Sequence, residues 1–171
     1  MVNTSIREKI EINWNKLQEE VKEFCKHNDL AVPKIVAVSK TRSIDEILAA
    51  WDCGIQYFGE NYVQELVPKA SVLPDAEWHF IGRLQRRNIK QIASHADYIH
   101  SLSSMKIVHR LEKSEYKGVC LIQVNISQEE TKSGISMDYK QVNDLYKLAR
   151  ESGLNVKGFM GMGAFSGHQK R

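Results

Sequence analysis

Apolar positions along this chain follow two alternating periods. Ile6, Ile10, Trp14, Leu17, Val21 and Phe24 are spaced by four, four, three, four and three, which lines one face of a helix over residues 4–27. Ser5 and Glu8 fit a capping box at its start. "HNDLAVPK" then breaks the pattern with Asn28, Asp29 and Pro33. From there short apolar runs alternate with amphipathic ones. "KIVAVS" (34–39) is rich in β-branched residues and predicts a buried strand. "SIDEILAAW" (43–51) follows, with Ser43 and Glu46 as a second capping box and Ile44, Ile47, Leu48 and Trp51 at helical spacing. Gly54 stands where that helix should stop.

The theme repeats. "IQYFGEN" (55–61) predicts a strand and "YVQELVPKA" (62–70) a helix ended by Pro68. "EWHFIG" (77–82), "DYIHSL" (97–102), "GVCLIQVNI" (118–126) and "NVKGFMGM" (155–162) predict four more strands. "RRNIKQIASHA", "SMKIVHRLEKS" and Tyr139–Glu151 predict the helices between them. Strands alternating with helices at a step of about twenty residues argue for right-handed βαβ units around a parallel sheet. An open doubly wound sheet and a (β/α) barrel both fit, and both put reactive residues at the C-terminal ends of strands. A full barrel has eight strands; six are predicted here.

Composition narrows the class. Hydrophobic residues make up 42% and charged residues 26% of the 171, the proportions of a soluble globular domain. No apolar run approaches the ~20 residues of a membrane span, and "MVNTSIREKI" lacks a secretory apolar core, so a cytoplasmic location is expected. Cys25, Cys53 and Cys120 are odd in number and far apart, which suggests free thiols rather than disulfides or a zinc site. The net charge of +3 demands no polyanionic partner.

Candidate chemistry begins at Lys40, which follows the first strand's apolar run and precedes the Ser43 cap. A loop lysine with its ammonium in water is the bland reading. The functional one is an imine-forming lysine, which must be neutral to attack an aldehyde. Its pKa would have to fall from ~10.4 toward ~7–8 by desolvation or a cationic neighbour, here Arg42, with Ser39 and Thr41 as positioning hydroxyls. In "FGENYVQE", Gly59 permits close backbone approach, and Asn61 is either a ligand amide or the N-cap of the next helix with Gln64 at N3. In "WHFIG", Trp78 and Phe80 alternate with His79 and Ile81; His79 reads as a hydrogen-bonded core residue ahead of a proton-transfer group. Arg83, Arg86, Arg87 and Lys90 form a basic stretch without interleaved aromatics, which argues for a solvated helix flank over a nucleic-acid site. Asn125 ends the fifth strand and is a candidate to line a pocket. In "GFMGMGAFS", Met160 and Met162 alternate with glycines, which suits packing on a flat ring as well as ordinary barrel filling.

Four blocks, "VAVSKT" (36–41), "FGENYVQE" (58–65), "WHFIGRLQ" (78–85) and "QVNISQEETKSGI" (123–135), resemble the pyridoxal phosphate homeostasis proteins, also called YggS-like or proline synthase co-transcribed proteins, in that family's order and spacing. The resemblance implies a TIM-type barrel like the N-terminal domain of alanine racemase, with about six of its eight βα units in this chain as one incomplete domain spanning 1–171. It implies pyridoxal 5′-phosphate held as a Schiff base on Lys40, with Asn61 near the ring and Ile81 and Gly82 lining the pocket; Asn125 and Met160 join them as candidates from their strand-end positions. Lys132-Ser133-Gly134 recur near the site in that family. The implied role is vitamin B6 homeostasis without conventional catalysis, the cofactor being passed to apo-enzymes that use it; the alternative is a racemase-like enzyme. Relatives continue through two further βα units that supply the phosphate anchor, so the chain is read as C-terminally truncated. Weak cofactor binding, or complementation by another chain, is expected. No nucleic acid, membrane or metal partner is implied, and a monomer is expected unless an open barrel edge pairs with another chain.

Overall fold

The computed structural model describes residues 4–127, 129 and 133–163. A long helix, α1 (Thr4–His27), leads into six strands: β1 (Ala37–Val38), β2 (Tyr57–Glu60), β3 (Glu77–Phe80), β4 (Tyr98–Leu102), β5 (Val119–Val124) and β6 (Asn155–Gly161). Between them lie α2 (Ile44–Asp52), α3 (Val63–Val72), a 3-10 turn at Arg86–Asn88 running into α4 (Ile89–Ala93), α5 (Met105–Lys113) and α6 (Tyr139–Glu151). All five strand pairings are parallel, and the sheet order is β1-β2-β3-β4-β5-β6. That order separates the two candidate architectures. A doubly wound sheet reverses direction at a switch point, whereas barrel staves follow one another in sequence order. This sheet never reverses, so it has the winding of a (β/α) barrel, with β1 and β6 as its two edges.

Period-two alternation sorts the strand residues onto two faces. Phe58, Trp78, Phe80, Ile99, Cys120 and Ile122 point to the helix layer and join Leu66, Ile89, Ile92, Val108, Leu111 and Leu145 in the core. Phe58 and Trp78 stack there at 5.3 Å between centroids. Tyr57, Glu77, His79, Tyr98 and His100 occupy the opposite, barrel-interior face. Glu77 Oε1 accepts from Lys34 Nζ at 2.8 Å and lies 2.8 Å from His79 Nε2, while His79 Nδ1 lies 2.8 Å from His100 Nε2. A carboxylate only accepts, so His79 donates from Nε2, accepts at Nδ1, and receives the Nε2 proton of His100. His79 is thus a hydrogen-bonded interior residue, stacked on Tyr98 at 4.5 Å. Burial lowers the pKa of both imidazoles, that of His100 to about 4.

Helix ends follow local chemistry. Ser43 and Glu46 close a reciprocal capping box on α2. At its other end Gly54, with φ +86°, donates to Trp51 and the buried Ile55 to Ala50, a Schellman stop that suits glycine. Four expectations need correction. α1 starts at Thr4, so Ser5 lies inside the helix and is not its N-cap. Pro68 lies within α3 and does not end it; a proline there forfeits one backbone bond to Gln64, and three-dimensional packing of α3 carries the helix on to Val72. The "RRNIKQIASHA" helix shrinks to a 3-10 turn and five α-helical residues. Strand β1 is two residues rather than six because it pairs on one side only, with β2.

Candidate functional site

Lys40 leaves the C-terminal end of β1, two residues past the paired Val38 and Gly59. Asn61 occupies the matching position on the neighbouring strand. Next to it, the Ile81 amide donates to the Glu60 carbonyl at 2.9 Å, continuing the ladder from β2 to β3. Gly82 then presses against Asn61: a Cβ on Gly82 would fall 1.9 Å from the Asn61 carbonyl oxygen and 2.8 Å from its Cα. No other residue fits there without moving the backbone. The Gly82 carbonyl accepts from the buried Ser101 hydroxyl at 2.6 Å, which fixes the same segment from the β4 side. Ile81 also covers Gly59, its Cδ1 lying 3.3 Å from where a Cβ would stand. Lys40, Asn61, Ile81 and Gly82 therefore gather at one rim of the sheet.

The loop that bears Lys40 is pinned from below on both sides. Ser39 is buried, and its hydroxyl donates to Glu60 Oε1 at 2.7 Å. Lys69, on α3 and 4% exposed, donates from Nζ to the Ser39 carbonyl at 2.8 Å, to Glu60 Oε1 at 2.6 Å and to Glu65 Oε2 at 2.8 Å. Glu65 Oε2 also accepts the Thr41 amide at 2.7 Å. The Lys69 bond, first, and then the Thr41 amide hold the Glu65 carboxyl below its ordinary pKa, against a desolvation penalty of the opposite sign. Thr41 itself has φ +64°, a left-handed conformation that costs a β-branched residue energy and persists because Glu65 holds its amide. Glu60 is fully buried, and its Oε2 has no partner among the described residues. Buried lysine and glutamate are rare unless paired, and this trio is paired around the backbone on either side of Lys40.

Two features of Lys40 differ from expectation. The side chain is exposed rather than dry, because among the described residues β1 is an edge strand paired with β2 alone. Arg42 is not placed as a cationic neighbour; its guanidinium bonds Glu46 at 3.3 Å along α2. The amine of Lys40 has no hydrogen bond or ion pair among the described residues.

Asn61 is not a cap either. Tyr62 is the N-cap of α3, without a side-chain cap bond, and N3 is Glu65, not Gln64. The Asn61 amide has no partner among the described residues. Asn125 turns away into its own loop, donating to the Glu129 carbonyl at 2.8 Å and accepting from Ser127 at 3.1 Å. It and Met160, on the edge strand β6, belong to elements four and five strands from β1 in sheet order. Lys132 lies outside the described residues. The Glu60–Lys69–Glu65 trio escaped the sequence reading. Its only linear signal is the i,i+4 pair Glu65 and Lys69, which ordinarily marks a solvated helix face.

The alanine racemase N-terminal domain family matches residues 8–171. Among curated proteins, the pyridoxal phosphate homeostasis protein of Haemophilus influenzae is 40% identical over 136 residues, covering 74% of this chain and 57% of that protein. The protein of the same name from Buchnera aphidicola (subsp. Schizaphis graminum) is 37% identical over 163 residues, covering 90% and 70%. The chain thus spans roughly three fifths to seven tenths of these relatives. Among solved structures, PipY of Synechococcus elongatus with PLP bound superposes with a TM-score of 0.68 at 26% identity, over 87% of this chain and 72% of that one.

Proposed function

Because this chain belongs to the alanine racemase N-terminal domain family and, within it, to the pyridoxal phosphate homeostasis proteins, we propose that it holds pyridoxal 5′-phosphate through the amine of Lys40. In this reading it serves vitamin B6 homeostasis by carrying the cofactor, with apo-enzymes as recipients, rather than by transforming an amino acid. The observation that carries the proposal is the placement of Lys40: an uncommitted amine on a loop clamped at Ser39 and Thr41, beside the Asn61–Gly82 contact. When bound, the cofactor supplies a reactive aldehyde.

The residues fit such a group. Lys40 brings a primary amine on a short tether whose backbone is held from both sides. Asn61 brings an amide that can both donate and accept. Gly82 lets the backbone that follows β3 pack directly on that of Asn61, which holds the rim beside Lys40 in place. Asn125, at the end of β5, and Met160, on β6, are proposed as further lining of the pocket.

Exposure favours carriage over catalysis. An open site excludes water poorly. The two interior histidines, His79 and His100, are bonded to each other and to Glu77, so they are committed elsewhere.

Incubation with pyridoxal 5′-phosphate, borohydride reduction and peptide mass spectrometry test the reading. One pyridoxyl group on Lys40, absent from Lys40→Ala, is expected. An adduct spread over the surface lysines would overturn it. Exchange of the alanine Cα proton in D2O, dependent on Lys40, would favour the racemase-like reading instead.

A further inference from the structure

The basic residues after β3 do not contribute to the Lys40 site. Arg83 and Arg86 line a cavity of about 430 Å³ together with Lys106, at the C-terminal ends of β3, β4 and β5. Its volume falls within the range of small-ligand pockets. Among the described residues no carboxylate lines it, and none of the three cations has an ion pair. Three unneutralised positive charges around one concavity focus a field that attracts an anion.

Two further observations come from different elements. Gln123, on β5, lines the same cavity and is 4% exposed, yet its amide has no hydrogen-bond partner among the described residues. The amide opens onto the cavity, where it can both donate to and accept from a polar ligand. The second is the start of α5, a nine-residue helix with no acid in its first turn. Its N-cap, Ser104, makes no side-chain cap bond and lines the cavity, so the Met105 and Lys106 amides and the helix dipole remain available there, the Ile107 amide being bonded to the Ser104 carbonyl.

We propose that this cavity binds the phosphate group of a small molecule, held by Arg83, Arg86 and Lys106 with Gln123 and the α5 N-terminus completing the donor set. All of these groups can donate, which matches an acceptor-rich dianion, and arginine forks can bond phosphate oxygens bidentately. The site starts two strands from β1 and shares no residue with Lys40, Asn61, Ile81 or Gly82. It adjoins the proposed carrier site, since Arg83 follows Gly82 and Ser101, which bonds the Gly82 carbonyl, also lines the cavity, but its cationic groups are its own.

The test is calorimetric titration of the Lys40→Ala chain with inorganic phosphate and with phenyl phosphate, against sodium chloride at matched ionic strength. One-to-one binding of both phosphates, absent with chloride, is expected; tighter binding of phenyl phosphate would identify an ester rather than the free ion as the better ligand. R83Q/R86Q should weaken binding at least about tenfold, the loss expected for charge-assisted hydrogen bonds. K106Q, at an exposed position that leaves the fold intact, should weaken it as well, and Q123L should do so without changing the circular dichroism spectrum. No phosphate binding, or phosphate binding unchanged in both R83Q/R86Q and K106Q, overturns the proposal. Because the titration is done without Lys40, its failure says nothing about the carrier reading, and loss of the Lys40 adduct says nothing about this cavity.

Discussion

Lys69 reaches from α3 to the Ser39 carbonyl, 2.8 Å away, so a buried ammonium holds the residue immediately before Lys40. The same ammonium balances Glu60 and Glu65. The arrangement ties helix α3 to the end of β1, across β2, and makes the conformation of the Lys40 loop a property of the core.

Removal of that ammonium should therefore be expensive. Lys69→Ala leaves the fully buried Glu60 carboxylate without its cation, and losing one partner of a buried pair costs about 3–5 kcal/mol. Urea unfolding should register this. Hydrogen exchange at the Thr41 amide should speed up as well, because Glu65 loses its anchor. A Lys69→Ala chain as stable as the parent would refute the clamp.

Gly82→Ala should be strongly disruptive although it adds one methyl. The new Cβ would overlap the Asn61 carbonyl, so β2 and β3 must part at their C-terminal ends. A loss of about 1–3 kcal/mol is expected from overpacking of this kind. Gly153→Ala is the control: nothing lies within 4 Å of its added Cβ, and its cost comes from φ +76° alone. Equal chemical denaturation midpoints for the parent and Gly82→Ala would contradict the packing.

The interior histidines predict an acid-sensitive fold. Burial, and then the neighbouring His79, lowers the pKa of His100 to about 4. The unfolded chain binds the proton near pH 6.5, so between the two values unfolding takes up protons. Stability from this group is complete above pH ~6.5 and is lost as pH falls toward about 4, by an amount on the order of 3 kcal/mol. His100→Gln should flatten that part of the stability–pH curve, and equally steep curves for the two chains would count against the interior His–His bond.

Thiol reactivity should rank by burial. Cys120 is fully buried, and desolvation pushes its pKa up to about 12. Cys53 is half-buried at the end of α2. Iodoacetamide at neutral pH should label Cys53 first and leave Cys120 unmodified until the chain unfolds, because the thiolate is the reactive form. Native labelling of Cys120 ahead of Cys53 would show that β5 opens.

How much of this was readable from the residues alone depended on the range of the interactions involved. Strand and helix order was legible because the hydrophobic period is local, and the α2 cap was legible because Ser43 and Glu46 are three residues apart. The position of Lys40 at a strand end and the commitment of His79 to the interior followed from the same periodicities. Helix ends were misread at Ser5 and Pro68, where neighbouring structure outweighed local preference.

The amino-acid sequence by itself determined a succession of βα units and a lysine at the first strand's C-terminal end, since both follow from side-chain alternation within short segments. Only the tertiary structure decided that the sheet winds without reversal, that Gly82 abuts Asn61, that Lys69 clamps Ser39, and that Lys40 stands in solvent on an edge. These are relations between segments twenty or more residues apart. They depend on which strand neighbours which, and no periodicity along one segment encodes that.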